Sequence, residues 1–456
     1  MRTALINPPP AQLVELHDLP DYPHPGLAYL AGYLEYKGKK VDVIDSKLER
    51  LSISKTLKRI EKIKPNLIGI TAMTHDIIQA HSLATQIKKR FSIPIVIGGV
   101  HATALPKQTL EEFKNFDYLI QGEGEETFYK LITSLENKKN LSEVKGLVFR
   151  KKRKIVVNPP RPRPENLDEL PMPAWHLFPR SKKYQIVTAR GCPYHCVFCM
   201  SPYGKKIRER NPKNVIKEMK YVIENFNPEE YKFNDESFGF NKERAHKLLD
   251  LIIENNLGEI KKVASMRANY VDFKLLKHMR KAGFYMVDYG IESGDEKILK
   301  IIKKGVTLQQ TEKAVKMTKK AGILVGGNFI IGHPYETKKT IWKTIRYAVK
   351  LNPAVVAFGI MVPYPGTQVA EMAKRGEGGY SILSSDWKDY NKELGNALEL
   401  KSISRMQLET YQLIAYLSVY MLNFRITDFI KFCWQYRRAA KGFITHYIKN
   451  SINRKN

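Results

Sequence analysis

The sequence predicts an α/β protein in three parts: an N-terminal open parallel sheet, a partial (β/α)6 barrel, and a helical C-terminal extension. Short apolar runs alternate with amphipathic stretches twice over, across 1–138 and again across 181–375. Strands alternating with helices build parallel sheets covered by helices. A basic, proline-rich break over 139–180 separates the two blocks. Over 376–456 the alternation stops and the chain reads as basic, aromatic helix.

In the first block, strands are expected at 4–7, 41–44, 67–71, 94–98 and 118–120. Helices are expected at 27–36, ended by Lys37-Gly38, at 53–63, at 77–91 and near Leu110. Ligands of such sheets bind beyond the carboxyl ends of the strands. Those ends carry Asn7-Pro8-Pro9, Ala72-Met73-Thr74, the stretch Gly98 to Thr103, and Gly122-Glu123-Gly124-Glu125. In the break, 146–150 and 155–157 read as a hairpin, and the prolines from Pro159 to Pro164 as a stiff extended linker. Seven basic residues and no acidic one fall between 150 and 164. In the second block, strands are expected at 185–188, 230–234, 262–266, 284–288, 325–331 and 355–360, with helices such as 213–226 and 274–282 between them. Chemistry in such barrels sits at the strand C-termini.

At 456 residues the chain has room for about three domains. The longest nearly uninterrupted apolar run, Leu413 to Phe424, is shorter than the roughly 20 residues a membrane-spanning helix needs. Four cysteines, and a first strand where an export signal would stand, point to a reducing cytoplasm. The net charge of +30 suits an anionic partner, whether nucleic acid, anionic membrane or phosphorylated substrate. It equally suits the Lys- and Ile-rich surface of a thermophilic proteome. The tail is open to three readings: a lid on the barrel mouth, an interfacial helix on anionic lipid, or an RNA-binding surface. From Arg425 to Lys455 it sets eight basic residues against Asp428 alone, among aromatics such as Tyr420, Phe424, Trp434 and Tyr436.

Three of the four cysteines lie within eight residues, Cys192, Cys196 and Cys199, in the pattern C-x3-C-x2-C after the first barrel strand. Three thiolates without a fourth can hold three irons of a four-iron cluster and leave one iron open. A disulfide framework wants paired cysteines, and structural zinc wants four ligands, with no second half here to supply them. The spacing, with Gly191, Tyr194 and Phe198 around it, resembles the cluster loop of radical S-adenosylmethionine (SAM) enzymes. Further signals stand in order behind it: Asn234 to Phe238, Ser265 to Asn269, Gly290-Ile291-Glu292-Ser293-Gly294, Gly326 to Pro334, and Pro363-Tyr364-Pro365-Gly366-Thr367. With the N-terminal pieces above, the chain resembles cobalamin-binding-domain radical SAM proteins, the group that contains radical methyltransferases and the anaerobic magnesium-protoporphyrin monomethyl ester cyclase.

The resemblance implies a Rossmann-like cobalamin module over 1–138 and a TIM-like radical SAM core barrel over 181–375. It implies a [4Fe-4S] cluster on Cys192, Cys196 and Cys199, SAM, and cobalamin. SAM contacts would come from Phe198, Asp235, Glu236, Arg267, Glu292, Ser293, Gly327, Asn328 and Gly332. Cobalamin contacts would come from Asn7, Thr74, Gly98, Gly99, His101, Gly122 and Glu123. Two departures stand out. Lys47 occupies the place of the histidine that ligates cobalt from below in D-x-H-x-x-G proteins, so cobalamin would lack that ligand, with His75 and His101 as spare candidates. Tyr335 replaces the usual glycine of the Gly332-His333-Pro334-Tyr335-Glu336-Thr337 turn. The expected activity is cobalamin-dependent methylation of an unactivated carbon, in a small molecule or in a lipid or isoprenoid. Its alternatives are an oxidative cyclisation without methyl transfer and an RNA modification. An external electron donor such as a ferredoxin or flavodoxin would be required.

Overall fold

The computed structural model describes residues 1–10, 20–152, 154–236, 238–392 and 395–435. The N-terminal block alternates β1 (Arg2–Asn7), α1 (Pro25–Tyr36), β2 (Lys40–Asp45), α2 (Ile53–Ile63), β3 (Leu67–Thr71), α3 (Ile77–Arg90), β4 (Ile95–Gly98), α4 (Val100–Ala104), α5 (Pro106–Glu112), β5 (Tyr118–Ile120) and α6 (Glu125–Glu136). Side chains alternate across each strand. Leu5, Leu67 and Val96 therefore pack on the α1 and α6 side, and Ile6, Ile68, Ile70, Ile95 and Ile97 on the α2 and α3 side. The first five strands are parallel in the order β2-β1-β3-β4-β5. The order reverses between β1 and β3, which opens a crevice at their carboxyl ends.

The hairpin of the expected linker belongs instead to this sheet. β6 (Leu147–Lys151) pairs antiparallel with β5, and β7 (Lys154–Val157) with β6. Leu147, Val148 and Phe149 are buried and need this covered position. The extended proline stretch after it is pinned at both ends, Pro159 O accepting from the Gly146 amide at 2.7 Å and Pro164 O from Arg208 at 2.8 Å. The amide of Ala174 donates to Ala28 O at 2.9 Å, and Trp175, fully buried, donates its indole N–H to Glu218 at 3.2 Å. The linker thus forms a seam between the two blocks.

The second block begins with β8 (Lys183–Ile186) and a short antiparallel pair, β9 (Ala189–Arg190) with β10 (Arg208–Glu209). There follow α7 (Pro212–Phe226), β11 (Glu230–Phe233), α8 (Lys242–Glu254), β12 (Lys261–Met266), α9 (Phe273–Lys281), β13 (Phe284–Glu292), α10 (Glu296–Ile301), α11 (Leu308–Lys320), β14 (Leu324–Ile331), α12 (Lys338–Leu351) and β15 (Val355–Ile360). The sheet is parallel in the order β15-β14-β13-β12-β11-β8. Its outer face drives Tyr184, Tyr231, Phe284, Tyr289, Phe329 and Phe358 under the helices, all fully buried. Its inner face stays open, and Leu324, Asn328 and Val355 are exposed there.

The C-terminal region is helical, as expected, after a short antiparallel pair. After α13 (Gln368–Lys374) comes an antiparallel pair, β16 (Tyr380–Ile382) with β17 (Leu398–Leu400), then α14 (Arg405–Met421) and α15 (Ile426–Gln435). α14 caps the free edge of β15. Tyr416 Oη accepts from the Phe358 amide at 3.0 Å, and Gln412 donates to Phe358 O at 2.6 Å. The Ile360 amide is met by Lys392 O at 2.9 Å. An uncovered edge strand invites pairing with other chains, so side chains and loop supply what a seventh strand would. Tyr436 and the basic residues beyond it lie outside the described residues.

Gly32 sits where α1 meets the linker, and a Cβ there would fall 2.3 Å from Met172 O. Gly32→Ala is expected to destabilise the protein by about 1–3 kcal/mol through overpacking, read as a lower urea midpoint with an unchanged slope.

Candidate functional site

The cysteine loop hangs from β9 and returns through β10. Gly191 takes φ +103°, and a Cβ there would lie 2.2 Å from Lys206 O, so only glycine closes the loop at this point. The Gly191 amide donates to Glu236 at 3.1 Å, as does Ser201 Oγ at 2.8 Å. The Cys192 amide donates to Gly204 O and the Cys199 amide to Cys196 O. Val197 is gripped on both sides, its amide by Ile302 O and its carbonyl by the Val369 amide. These bonds hold the backbone, and of the three thiols only that of Cys196 donates a hydrogen bond among the described residues, a weak one to Lys303 O at 3.8 Å.

The thiols feel one another. Desolvation by the packed loop, with the charges of Cys196, Glu236 and Cys192, pushes the Cys199 thiol up, although its side chain still reaches solvent. Thiolates crowded in this way call for a positive centre to bring them down. Among the described residues no three His, Cys, Asp or Glu side chains converge on a single-ion position. The donor set is three soft sulfurs, which suits an iron–sulfur cluster better than a hard cation.

Around the loop the barrel supplies a ring of committed groups. Arg267 lies over the Tyr194 ring, 3.4 Å from its centroid, donates to Lys304 O, and brings Nη1 to 3.8 Å from Cys196 Sγ. Its Nε is buried without a partner. Glu292 takes φ +67° at the bulge between β13 and β14 and pairs with Lys304 at 2.8 Å, both buried. A Cβ at Gly290 would lie 2.5 Å from the Glu292 carboxylate, so that glycine makes room for the pair. Phe198 packs 6.1 Å from the His333 ring. Gly332, at φ +85°, and His333 both donate backbone N–H to Glu336, at 2.6 and 3.0 Å. Burial pushes Glu336 up to about 8 and His333 down to about 4. Tyr335 does adopt the left-handed conformation that glycine favours, φ +59°, held by its amide on Gly378 O at 2.7 Å.

Several residues expected to face SAM are turned to other work. Asp235 accepts from the Thr188 amide, the Thr188 hydroxyl and the Ala189 amide, at 2.6, 2.5 and 3.0 Å, and so fixes the turn into β9. Glu236 is the tether of the cysteine loop. Ser293 Oγ faces Thr344 on α12 at 3.2 Å. Gly327 lies on the outer face against Pro353. Asn328 is exposed on the inner face. Ser237 lies outside the described residues.

At the N-terminal sheet, Asn7, Thr74, Gly98, Gly99, His101 and Gly122 gather along one carboxyl edge. Asn7 donates to Asp45 at 2.7 Å. Gly99 takes φ +96°, with Ala72 O only 2.6 Å from where a Cβ would stand, and Gly122 has nothing within 4 Å of its own. Thr74 Oγ1 is 3.4 Å from His101 Nδ1. His101 is fully buried, its Nε2 has no partner, and burial depresses it to about 4. A glycine-lined edge with an orphaned buried imidazole fits a large planar cofactor. Lys47 does not reach for one, since it is buried in an ion pair with Asp76 at 2.6 Å. His75 Nε2 also faces Asp76, at 3.5 Å.

Glu123 is not on that edge as a ligand contact. It is the hub of a buried charge network between the two blocks. Arg190 and Arg208 donate to it at 2.6 Å each, and Arg190 also donates to Glu125 at 2.8 Å. Arg190 immediately precedes Gly191 and lies between the Tyr29 and Tyr203 rings, 5.1 and 5.2 Å from their centroids. Sequence reasoning missed Arg190 and Arg208, although an arginine abutting the cysteine loop and an acidic pair at a strand end were both visible. It also missed the inner-face residues Gln185, Lys232 and Asp288, which, like Ser265 of the expected signal, make no side-chain hydrogen bond among the described residues. Strand alternation alone would have flagged a charged residue on a barrel's inner face.

Two measurements bear on this geometry. Removing one acid from a buried network leaves cations uncompensated, so Glu123→Ala is expected to cost about 3–5 kcal/mol in urea unfolding and to loosen 190–208 in hydrogen exchange. Glu336 is neutral in the folded chain up to about pH 8 but ionises near 4.5 when unfolded. The folded state therefore binds more protons between those values, and stability from this group falls as pH rises through that window. Glu336→Gln is expected to flatten the decline in Tm between pH 5 and 8.

The comparisons agree with this architecture. The profile of the radical SAM superfamily matches residues 186–348, and that of the B12 binding domain residues 16–132. The uncharacterized methyltransferase PH0819 of Pyrococcus horikoshii is 34% identical over 98% of this chain and 99% of its own length. The anaerobic magnesium-protoporphyrin IX monomethyl ester cyclase of Rubrivivax gelatinosus is 28% identical over 81% of this chain and 69% of its own. Among solved structures, the radical SAM methyltransferase TsrM of Kitasatospora setae, with cobalamin and a [4Fe-4S] cluster bound, superposes with TM-score 0.73, at 19% identity over 92% of this chain and 89% of that one. The cobalamin-dependent radical SAM enzyme OxsB superposes with TM-score 0.75, at 18% identity over 98% and 71%. The chain belongs to the radical SAM enzymes that carry an N-terminal B12-binding domain, a family that works with a [4Fe-4S] cluster, SAM and cobalamin.

Proposed function

We propose that this chain methylates an unactivated carbon of a small molecule in a cobalamin-dependent reaction. The observation that carries the reading is the shared seam. The Glu123–Arg190–Arg208 network joins the end of β5 directly to the first residues of the cysteine loop. At Gly366 a Cβ would touch both Met200 of the loop, at 3.2 Å, and Ala104 of the N-terminal module, at 3.4 Å. A methyl carrier on one edge and a radical source on the other are useful together only if that seam holds them at a fixed separation.

Bound cofactors would supply the chemistry: the reduced cluster delivers an electron that cleaves SAM to methionine and a 5′-deoxyadenosyl radical able to take a hydrogen atom from carbon, and cobalamin carries the methyl group. The chain's own residues bind and orient. Cys192, Cys196 and Cys199 would hold the cluster, with Glu236 tethering their loop. Arg267, Glu292, Asn328, Gly332 and Phe198 remain as SAM contacts, since Asp235, Ser293 and Gly327 serve the fold. Asn7, Thr74, Gly98, Gly99, His101 and Gly122 would line the cobalamin edge, and Lys47, tied to Asp76, would not serve as the histidine of D-x-H-x-x-G does. Gln185, Lys232, Ser265 and Asp288 would meet polar parts of the substrate. Burial pushes the Asp288 carboxyl upward against the pull of Lys232. An external electron donor would reduce the cluster.

Anaerobic reconstitution with iron, sulfide and cobalamin, followed by incubation with deuterated-methyl SAM, reductant and a cell extract, tests the reading. The expected product gains one labelled methyl group as 5′-deoxyadenosine forms, and Cys196→Ala abolishes both the iron–sulfur absorbance and 5′-deoxyadenosine. A dehydrogenated or cyclised product without label would replace methylation with the cyclase chemistry named for the Rubrivivax gelatinosus relative.

A further inference from the structure

The C-terminal helices have two apolar faces where a surface helix needs one. Their inner face is spent on the barrel: Leu408, Ala415 and Val419 are buried, Phe429 packs on Tyr420 at 5.7 Å, and Phe432 on Tyr416 at 5.0 Å. The outer face is also apolar. Leu413 and Leu417 recur four residues apart along α14, and Ile426 and Ile430 along α15. Leu422 and Phe424 stand at the turn between them, 65% and 91% exposed. Leu413, Ile426 and Ile430 are each half exposed or more. Scattered exposed apolar residues are ordinary, but apolar residues recurring at helical spacing on two successive helices mark an interaction surface.

Charge chooses the occupant. The acids on these two helices are neutralised in place, Glu409 by Arg405 at 3.0 Å and Asp428 by Arg425 at 2.8 Å. Seven basic residues, from Lys431 to Lys455, follow with no further acid to the end of the chain. A second copy of this chain would bring the same excess of positive charge to the contact and be repelled. An anionic bilayer surface accepts both halves of the pattern, the apolar stripe in the headgroup boundary and the cations against the lipid charge. Among the described residues no helix is long and apolar enough to cross a membrane, so the geometry is that of lying on one.

We infer that the outer face of α14 and α15, led by Phe424 and Leu422, docks this enzyme on anionic membranes, in keeping with the basic composition of the sequence that follows. The docking needs no cofactor, so it is tested apart from the methylation reading. The full-length protein is sedimented with vesicles of phosphatidylcholine alone and of phosphatidylcholine with one third phosphatidylglycerol. Strong partition onto the anionic vesicles only is expected, weakening several-fold between about 0.1 M and about 0.5 M salt. The double substitution Phe424→Asp, Ile430→Asp should lower partition at least about tenfold, with far-UV circular dichroism and Tm unchanged because both side chains point away from the core. Equal binding to neutral vesicles would remove the charge argument, and variant binding equal to wild type would remove the face. A concentration-dependent dimer in sedimentation velocity that the double substitution dissolves would assign the face to a second copy and overturn the inference.

Discussion

Two arginines and two glutamates carry the relation between the halves of this molecule. Arg190, Arg208, Glu123 and Glu125 are all buried or nearly so, and their pairs close at 2.6 to 2.8 Å. Desolvating four charges is expensive, and well-packed apolar side chains would often serve stability as well or better. What the charges add is direction. A guanidinium accepts its carboxylates only in a few geometries, so Arg190 can be satisfied in essentially one placement of the N-terminal sheet against the barrel. Because the next residue is Gly191, that placement is also the starting point of the cysteine loop.

A loop of three cysteines cannot fix itself, since each thiol must stay free for metal. The fold solves this from the backbone side. Gly191 turns where no side chain fits, Glu236 collects the loop's first amide and the Ser201 hydroxyl, and Val197 is held by strands of hydrogen bonding from Ile302 and Val369. The carboxylates that sequence position assigned to SAM, Asp235 and Glu236, are consumed in this work. The charged group that stands against the thiols is instead Arg267, whose Nη1 lies 3.8 Å from Cys196 Sγ and whose Nε has no partner.

The architecture was legible because periodicity reports burial, and burial is what the two sheets share. Strand positions at 67–71, 118–120 and 355–360 coincide with the observed ones, and the cysteine spacing alone located the loop. What escaped was pairing at a distance. Nothing local in Leu147–Lys151 says that its partner is β5, where Leu147 registers with Ile120, 27 residues earlier and across an intervening helix. Likewise a glutamate at a strand end looks the same whether it will meet a ligand or an arginine 67 residues on, as Glu123 does with Arg190. The tail stayed open between three readings for a related reason. Aromatic residues such as Tyr416 meet the free edge of β15, and edges are a property of the finished sheet.

That edge explains why the C-terminal region is attached at all. A partial barrel leaves β15 with unpaired amides and carbonyls along its length. Covering them with a helix requires an apolar inner face and a few polar side chains at defined places, which Gln412 and Tyr416 supply. It requires nothing of the outer face, which in a protein with 76 lysines and arginines would be expected to be charged. Instead Leu413, Leu417, Ile426 and Ile430 occupy it. Edge capping therefore accounts for the inner side of α14 and leaves its apolar outer side unexplained by the fold.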